Sequence, residues 1–172
     1  MKRAIRKPFI SEIAASDRLS SDITLAELLD LAMDFELTAH RFYSGLIEKG
    51  RPEVQPLVYE LAAEEKAHYE LLQRLSSDKD LIHHLRHRTK KPPTTEAFDD
   101  YVDLPLEPDE LWEDNLLEYA KSRERIAYEH YAYLAEITPA GPVKDLFEVL
   151  RDEEEGHTWA IERRWSMMFS IF

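Results

Sequence analysis

Two Glu-x-x-His pairs, Glu65/His68 and Glu154/His157, and two further carboxylates, Glu36 and Glu124, fall inside apolar stripes of helical period. A Glu and a His three apart on a helix leave from one face as neighbours, so both can reach one ion. Four carboxylates and two imidazoles are the ligand complement of a two-metal site inside a helical bundle. Four ionised carboxylates buried together would be prohibitive without counter-charge. Two divalent cations supply that charge, with both His as neutral donors. The mixed oxygen and nitrogen set suits iron or manganese, with positions left open for oxygen chemistry. Zinc would fit it but do no redox work. A salt-bridged structural layer would instead need inward Lys or Arg at the same depth, and the stripes offer none.

A lone Glu-x-x-His is a weak signal; repetition in register strengthens it. Residues 28–46 align with 116–134, Glu36 falling on Glu124, 88 positions on. Leu28/Leu116, Leu29/Leu117, Ala32/Ala120, Ala39/Ala127, Tyr43/Tyr131 and Leu46/Leu134 are also identical. Between the two segments that carry the pairs, Leu57/Leu146, Leu61/Leu150, Glu64/Glu153, Glu65/Glu154 and His68/His157 match. The chain therefore carries two copies of a helix pair with the same polar intrusions.

The elements that must position these residues are legible in the same pattern. Thr24-x-x-Glu27 reads as a capping box opening a first helix that runs to about Lys49, before Gly50. Its inward residues are Leu29, Ala32, Glu36, Ala39, Tyr43 and Leu46. A second helix can begin at Pro52, tolerates Pro56 in its first turn and fades near Ser77, with Val58, Leu61, Glu65, His68, Leu72 and Leu75 inward. The short connection makes the two antiparallel neighbours. Residues 78–108, with HHLRHRTKKPP and four of the nine prolines, read as a crossover holding a short helix at Asp80 to His87. A third helix starts near Pro108 or Asp109, with Leu117, Ala120, Glu124, Ala127, Tyr131 and Leu134 inward. Thr138-Pro-Ala-Gly-Pro142 ends it. The fourth carries Phe147, Leu150, Glu154, His157 and Ile161 inward and ends in the apolar tail Trp165 to Phe172, a helix end packed in a core or a dimer interface.

The expected fold is all-α, a ferritin-like four-helix bundle. It is read as a single domain over 1–172: a first helix pair (24–77), the crossover (78–108) and a second pair (109–172). Glu64 lies one residue off the stripe, outside the ligand set, so Glu64→Ala is expected to leave paired-metal binding largely intact. His40 and His130, one helical step away, read as boundary residues. His83, His84 and His87 read as an exposed basic loop rather than an auxiliary metal site.

Composition narrows the function classes. The formal net charge of −13 repels phosphate backbones, which disfavours nucleic acid. With no cysteine, the chain cannot hold a disulfide, a thiolate iron–sulfur cluster or a rubredoxin-like module. No run approaches the roughly 18 apolar residues of a membrane span. The start of the chain lacks a continuous apolar signal region, so a cytoplasmic protein is expected.

Glu36-x-x-Ala-x-x-Phe-Tyr43, then Leu61-Ala-Ala-Glu-Glu65-x-x-His68, with the repeat of both, resembles the rubrerythrin branch of the ferritin-like superfamily over about 24–77 and 109–162. The resemblance implies a non-haem centre of two iron ions. It makes Glu65 and Glu154 bridging ligands, Glu36 and Glu124 terminal ones, and gives His68 and His157 one iron each. Tyr43 and Tyr131 would be hydrogen-bond donors or electron relays beside the carboxylates, or packed core tyrosines. The chain departs from the pattern at Ala127, where typical rubrerythrins add a seventh, Glu ligand; the equivalent place in the first helix is Ala39. The remaining six-ligand set is more like that of bacterioferritin and counts against redox-linked iron movement.

The implied activity is an oxidoreductase reacting with O2 or H2O2, oxidising Fe(II) or removing peroxide. It would draw electrons from a separate donor, such as a rubredoxin-type protein, or from iron itself, and a homodimer is expected. Alternatives are a hydroxylase of an apolar substrate such as a quinone, and iron storage or delivery without turnover.

Overall fold

The computed structural model describes residues 22–47, 52, 54–92 and 113–169. Four long helices dominate: α1 (Leu25–Ile47), α2 (Gln55–Ser76), α4 (Glu113–Ile137) and α5 (Pro142–Phe169). They pack as two hairpins, α1 with α2 and α4 with α5, in an all-α, ferritin-like bundle. The expected ends of the first helix at Lys49, of the crossover at 108 and of the tail at Phe172 lie outside the described residues, as does the expected start of the third helix.

Each boundary has a local cause. Thr24 and Glu27 form the reciprocal capping box: the Thr24 N–H and hydroxyl both donate to Glu27 Oε2 (2.7 and 2.8 Å), and the Glu27 N–H donates to Thr24 Oγ1 (3.2 Å). Helix α2 begins at Gln55 rather than Pro52, with Pro56 in its first turn, where a missing N–H costs nothing. Pro142 opens α5 for the same reason. Just before it, Gly141 adopts a φ of 147°, and a Cβ there would lie 2.7 Å from the His84 ring, so no other residue fits.

The start of the crossover is more ordered than its sequence suggests. A 3-10 turn over Lys79–Leu81 runs into the short helix α3 (Ile82–Leu85), close to the expected Asp80 to His87. A small antiparallel ribbon follows, in which β1 (Asp22–Thr24) pairs with β2 (Arg88–Lys90), Ile23 opposite Thr89. The ribbon ties the crossover to the head of α1, where the Leu25 N–H donates to the His87 carbonyl at 2.9 Å. Thr89 donates to the Ile137 carbonyl at the end of α4, so the clasp touches both hairpins.

Two apolar clusters form the core. One gathers Leu28, Leu29, Leu72, Leu134, Phe147 and Leu150; the other Leu46, Val58, Leu61, Leu117, Ala120 and Ile161. The inward residues expected for all four helices are buried, Leu75 alone only partly. Between the clusters lies a layer of carboxylates and imidazoles. No helix among the described residues is long and apolar enough to cross a membrane.

Candidate metal centre

Glu36, Glu65, His68, Glu124, Glu154 and His157 come together at mid-depth in the bundle, none more than 8% exposed. Their candidate ligand atoms form two overlapping sets: Glu36, Glu65, His68 and Glu154, then Glu65, Glu124, Glu154 and His157. Within each set these atoms lie within 4.8 Å of one another, and Glu65 and Glu154 belong to both. The repeat in the sequence thus becomes a pseudo-two-fold arrangement in space.

The donor atoms are aimed at shared space rather than at each other. His68 Nδ1 is 3.3 Å from Glu154 Oε1 and 3.5 Å from Glu36 Oε2, distances an ion pair would tolerate. None of these atoms makes a hydrogen bond, and neither does Glu154 Oε2. Buried polar atoms rarely go unsatisfied, and four together could take a cation as their partner. His157 Nδ1 is better partnered, 3.0 Å from Glu124 Oε2 and 3.2 Å from Glu154 Oε2. The residues fit a pair of divalent ions.

Hydrogen bonds from outside hold the ligand groups in place. Tyr43 donates to Glu124 Oε1 and Tyr131 to Glu36 Oε1, each across from one hairpin to the other. Each tyrosine fixes one carboxylate oxygen and leaves the second facing the centre. Both phenols are held well above their ordinary pKa, first by burial and then by the neighbouring carboxylates, so they remain donors. Both tyrosine hydroxyls thus meet a carboxylate, and both rings are buried core residues.

Glu64 belongs to neither ligand set, yet it touches a ligand. Its Oε2 lies 3.0 Å from His157 Nε2, and its repeat-mate Glu153 lies 3.0 Å from His68 Nε2. A carboxylate on the outer imidazole nitrogen fixes the ring's orientation and makes the inner nitrogen a better donor. Position off the stripe hid both residues, although their identity across the repeat was a signal.

In the absence of metal, protons take the place of cations. Burial opposes charge on His68, yet the carboxylates of Glu154 and Glu36 beside it push its pKa up to about 10. His157 rises in the same way, burial being outweighed by Glu124, Glu154 and Glu64. Glu65 is raised well above the usual carboxyl range by burial and then by Glu154, Glu36 and Glu124. Burial also raises Glu154, with Glu124 adding to it. For Glu124, burial is outweighed by the His157 imidazole, the adjoining Glu154 carboxyl and the Tyr43 hydroxyl, and its carboxyl is lowered.

One expectation about charge is corrected: Arg123 is an inward cation at matching depth. It is buried beside Glu124, its guanidinium over the rings of Phe35, Phe42 and Tyr43. It makes no ion pair with the four carboxylates among the described residues, so it does not turn the layer into a salt-bridged one. The crossover histidines do not lie in a plain exposed loop: His83 and His84 are in α3, His87 just before β2, and His84 is half-buried against Gly141. His40 is half-buried and donates from Nδ1 to the Ala62 carbonyl (2.7 Å), and His130 is half-buried against Phe35. His83 and His87 are exposed, and no metal-holding cluster forms around them among the described residues. Ala39 and Ala127 are buried and bring no seventh carboxylate.

A cleft of about 410 Å³ between α2 and α5 reaches the outer nitrogens of both site histidines, lined by Leu57, Leu61, Glu64, His68, Glu153 and His157. A larger one of about 750 Å³, between α4 and α5 around Lys121, Glu162 and Trp165, includes none of the six residues. No curated protein and no solved structure matches the chain. The sequence model of the family described as Rubrerythrin does, over residues 27–163, a span that contains all six site residues and both hairpins but for the ends of α1 and α5; the chain belongs to the rubrerythrin family.

Proposed function

We propose that this chain is a non-haem di-iron oxidoreductase that reacts with O2 or H2O2, oxidising Fe(II) and removing peroxide. The observation that carries the reading is the pair of overlapping buried ligand sets, with Glu65 and Glu154 common to both. In this assignment Glu65 and Glu154 would be shared by the two ions, Glu36 and His68 would hold one of them, and Glu124 and His157 the other. Iron is the metal that the family favours, and manganese suits the same donors. When bound, the two ions supply paired one-electron chemistry at an O–O bond.

The protein's own residues do the rest. Tyr43 and Tyr131 hold the terminal carboxylates in orientation, and Glu64 and Glu153 hold the imidazoles. Two apolar clusters keep bulk water from the ends of the layer. The cleft beside His68 and His157 gives a small oxidant a way in. With alanine at positions 39 and 127, neither half offers a seventh carboxylate there toward which an iron could move. The chain has no thiolate centre to supply electrons, so they come from a separate donor, a rubredoxin-type protein, or from Fe(II) itself. A cytoplasmic homodimer is the setting this reading assumes.

Metal analysis of anaerobically purified protein, followed by stopped-flow mixing with O2 and with H2O2, tests it. Two irons per chain and a fast optical change with at least one oxidant are expected. Failure to retain iron stoichiometrically would refute the reading. Loading far beyond two irons per chain would point to storage instead.

A further inference from the structure

Behind the ligand layer, α1 and α4 meet through an aromatic layer that obeys the same internal two-fold as the ligands. Under the repeat, Phe35 corresponds to Arg123, Phe42 to His130 and Tyr43 to Tyr131. The contacts correspond as well. Phe35 meets the Tyr131 ring at 6.3 Å, and the Arg123 guanidinium meets the Tyr43 ring at 5.9 Å. Phe35 stacks on His130 at 5.1 Å, and Arg123 lies over Phe42 at 5.7 Å. Phe42 packs on Tyr43 at 5.1 Å, and His130 on Tyr131 at 5.6 Å. Phe35 and Arg123 themselves face each other at 5.6 Å, across the axis. Shape is symmetric in this layer; charge is not.

Arg123 carries a guanidinium cation. It is 2% exposed, and both terminal nitrogens lack a hydrogen-bond partner. Three ring faces within about 6 Å hold it by cation–π attraction. Its repeat-mate is a phenylalanine, and on that side Tyr131 is held protonated and His130 neutral, burial pushing the imidazole pKa down to about 4. The half that contains Tyr43, and through Tyr43 the carboxylate of Glu124, therefore carries a fixed positive charge that the half containing Tyr131 and Glu36 lacks. Such a charge has no role in holding four carboxylates once two divalent ions neutralise them. Its remaining effect is to repel the nearer ion.

We propose that Arg123 makes the two metal positions unequal, so that the position built on Glu124 and His157 fills second and binds its ion less tightly than the position built on Glu36 and His68. The inference rests on the two-metal reading of the site. At an effective dielectric of about 20, a unit charge separates two divalent ions a few ångströms apart in distance from it by about tenfold in affinity. The weaker position is then the one that exchanges its ion with solvent, and the tighter one stays filled.

Anaerobic titration of the full chain with Co(II), followed by its visible absorption, reads the two steps directly. The natural protein should show two steps about tenfold apart. Arg123→Met, similar in length and uncharged, should tighten both steps, the weaker about tenfold more than the tighter, so that the gap between them closes. Arg123→Gln gives a second neutral variant in case the first does not fold, and Arg123→Lys should keep the gap. Two equal steps in the natural protein would overturn the proposal. So would neutral variants that keep the gap, or that weaken both steps together as a packing defect does. Absence of any stoichiometric Co(II) binding by the natural protein would instead remove the metal reading itself, and this inference with it.

Discussion

Without metal, the centre is held by protons, and its contribution to stability changes with pH in a direction that the geometry fixes. His68 has an ordinary pKa of 6.5 and one of about 10 in the fold. A raised imidazole stabilises fully below its unfolded value, and that stabilisation is lost as pH rises through the folded value. The window is therefore about pH 6.5 to 10. With those two values, linkage gives roughly 4 kcal/mol at pH 7, of which well over half is lost by pH 9. His157 is raised too and acts in the same sense. Glu65 and Glu154, also raised, destabilise the fold once pH exceeds the usual carboxyl range, which adds to the decline. Glu124 is lowered, so its contribution is complete well below pH 7 and brings no slope.

Metal reverses the sign. Each imidazole must lose its proton to bind an ion, so binding releases protons and tightens as pH rises. The increment that metal adds to stability grows with the ratio of free ion to dissociation constant. Thermal unfolding of chelator-treated and Mn(II)-loaded protein at pH 7, 8 and 9 reads both trends. The metal-free protein should lose roughly 5–10 °C between pH 7 and 9, taking about 2–4 °C per kcal/mol for a chain of this size. The difference between loaded and metal-free protein should widen. Equal stability of the metal-free protein across that range, or a metal increment that shrinks with pH, would show that the imidazoles are not the charged partners of these carboxylates.

Three further outcomes follow from named contacts. Glu154→Ala removes a residue common to both ligand sets, so elemental analysis should find metal content falling from two ions per chain to less than one. Glu64→Gln leaves the ligands in place but weakens the acceptor on His157 Nε2; metal affinity should fall about tenfold, by competition with a chelating dye, and Glu153→Gln should do the same through His68. Thr24→Ala takes away the hydroxyl of the capping box and should cost about 1 kcal/mol in urea unfolding, with metal stoichiometry unchanged.

The residues that the sequence discloses are those that break a pattern. Glu36, Glu65, Glu124 and Glu154 stand out because each replaces an apolar residue in a stripe, and the internal repeat shows that the intrusion happens twice. Helix ends were legible at Thr24, Pro142 and Thr138 because capping and proline chemistry act within a few residues. What stayed hidden depends on contacts between distant segments. Strands of three residues, such as Asp22–Thr24 and Arg88–Lys90, are too short to show alternation, and their pairing joins opposite ends of the first half. Glu64 and Glu153 reach their histidines only across the two hairpins. Arg123 was missed because it falls beside the stripe, at a position where the two repeats differ; in the bundle, that difference is a charge enclosed by three rings.

The polar layer also decides how the hairpins meet. Each apolar cluster contains residues from both hairpins, and leucine against leucine tolerates displacement along a helix axis. A slip of one turn, about 5.4 Å, would keep most apolar surface covered. It would not keep the crossing contacts: Tyr43 to Glu124, Tyr131 to Glu36, His68 to Glu153 and His157 to Glu64 all join one hairpin to the other. A slipped arrangement would leave four carboxylates facing aliphatic side chains, at several kcal/mol for each uncompensated charge. The layer therefore selects one register among those the clusters allow, and it is the register that brings both Glu-x-x-His pairs to the same depth. The groups that would hold the metals are thus the same groups that align the two halves before any metal arrives.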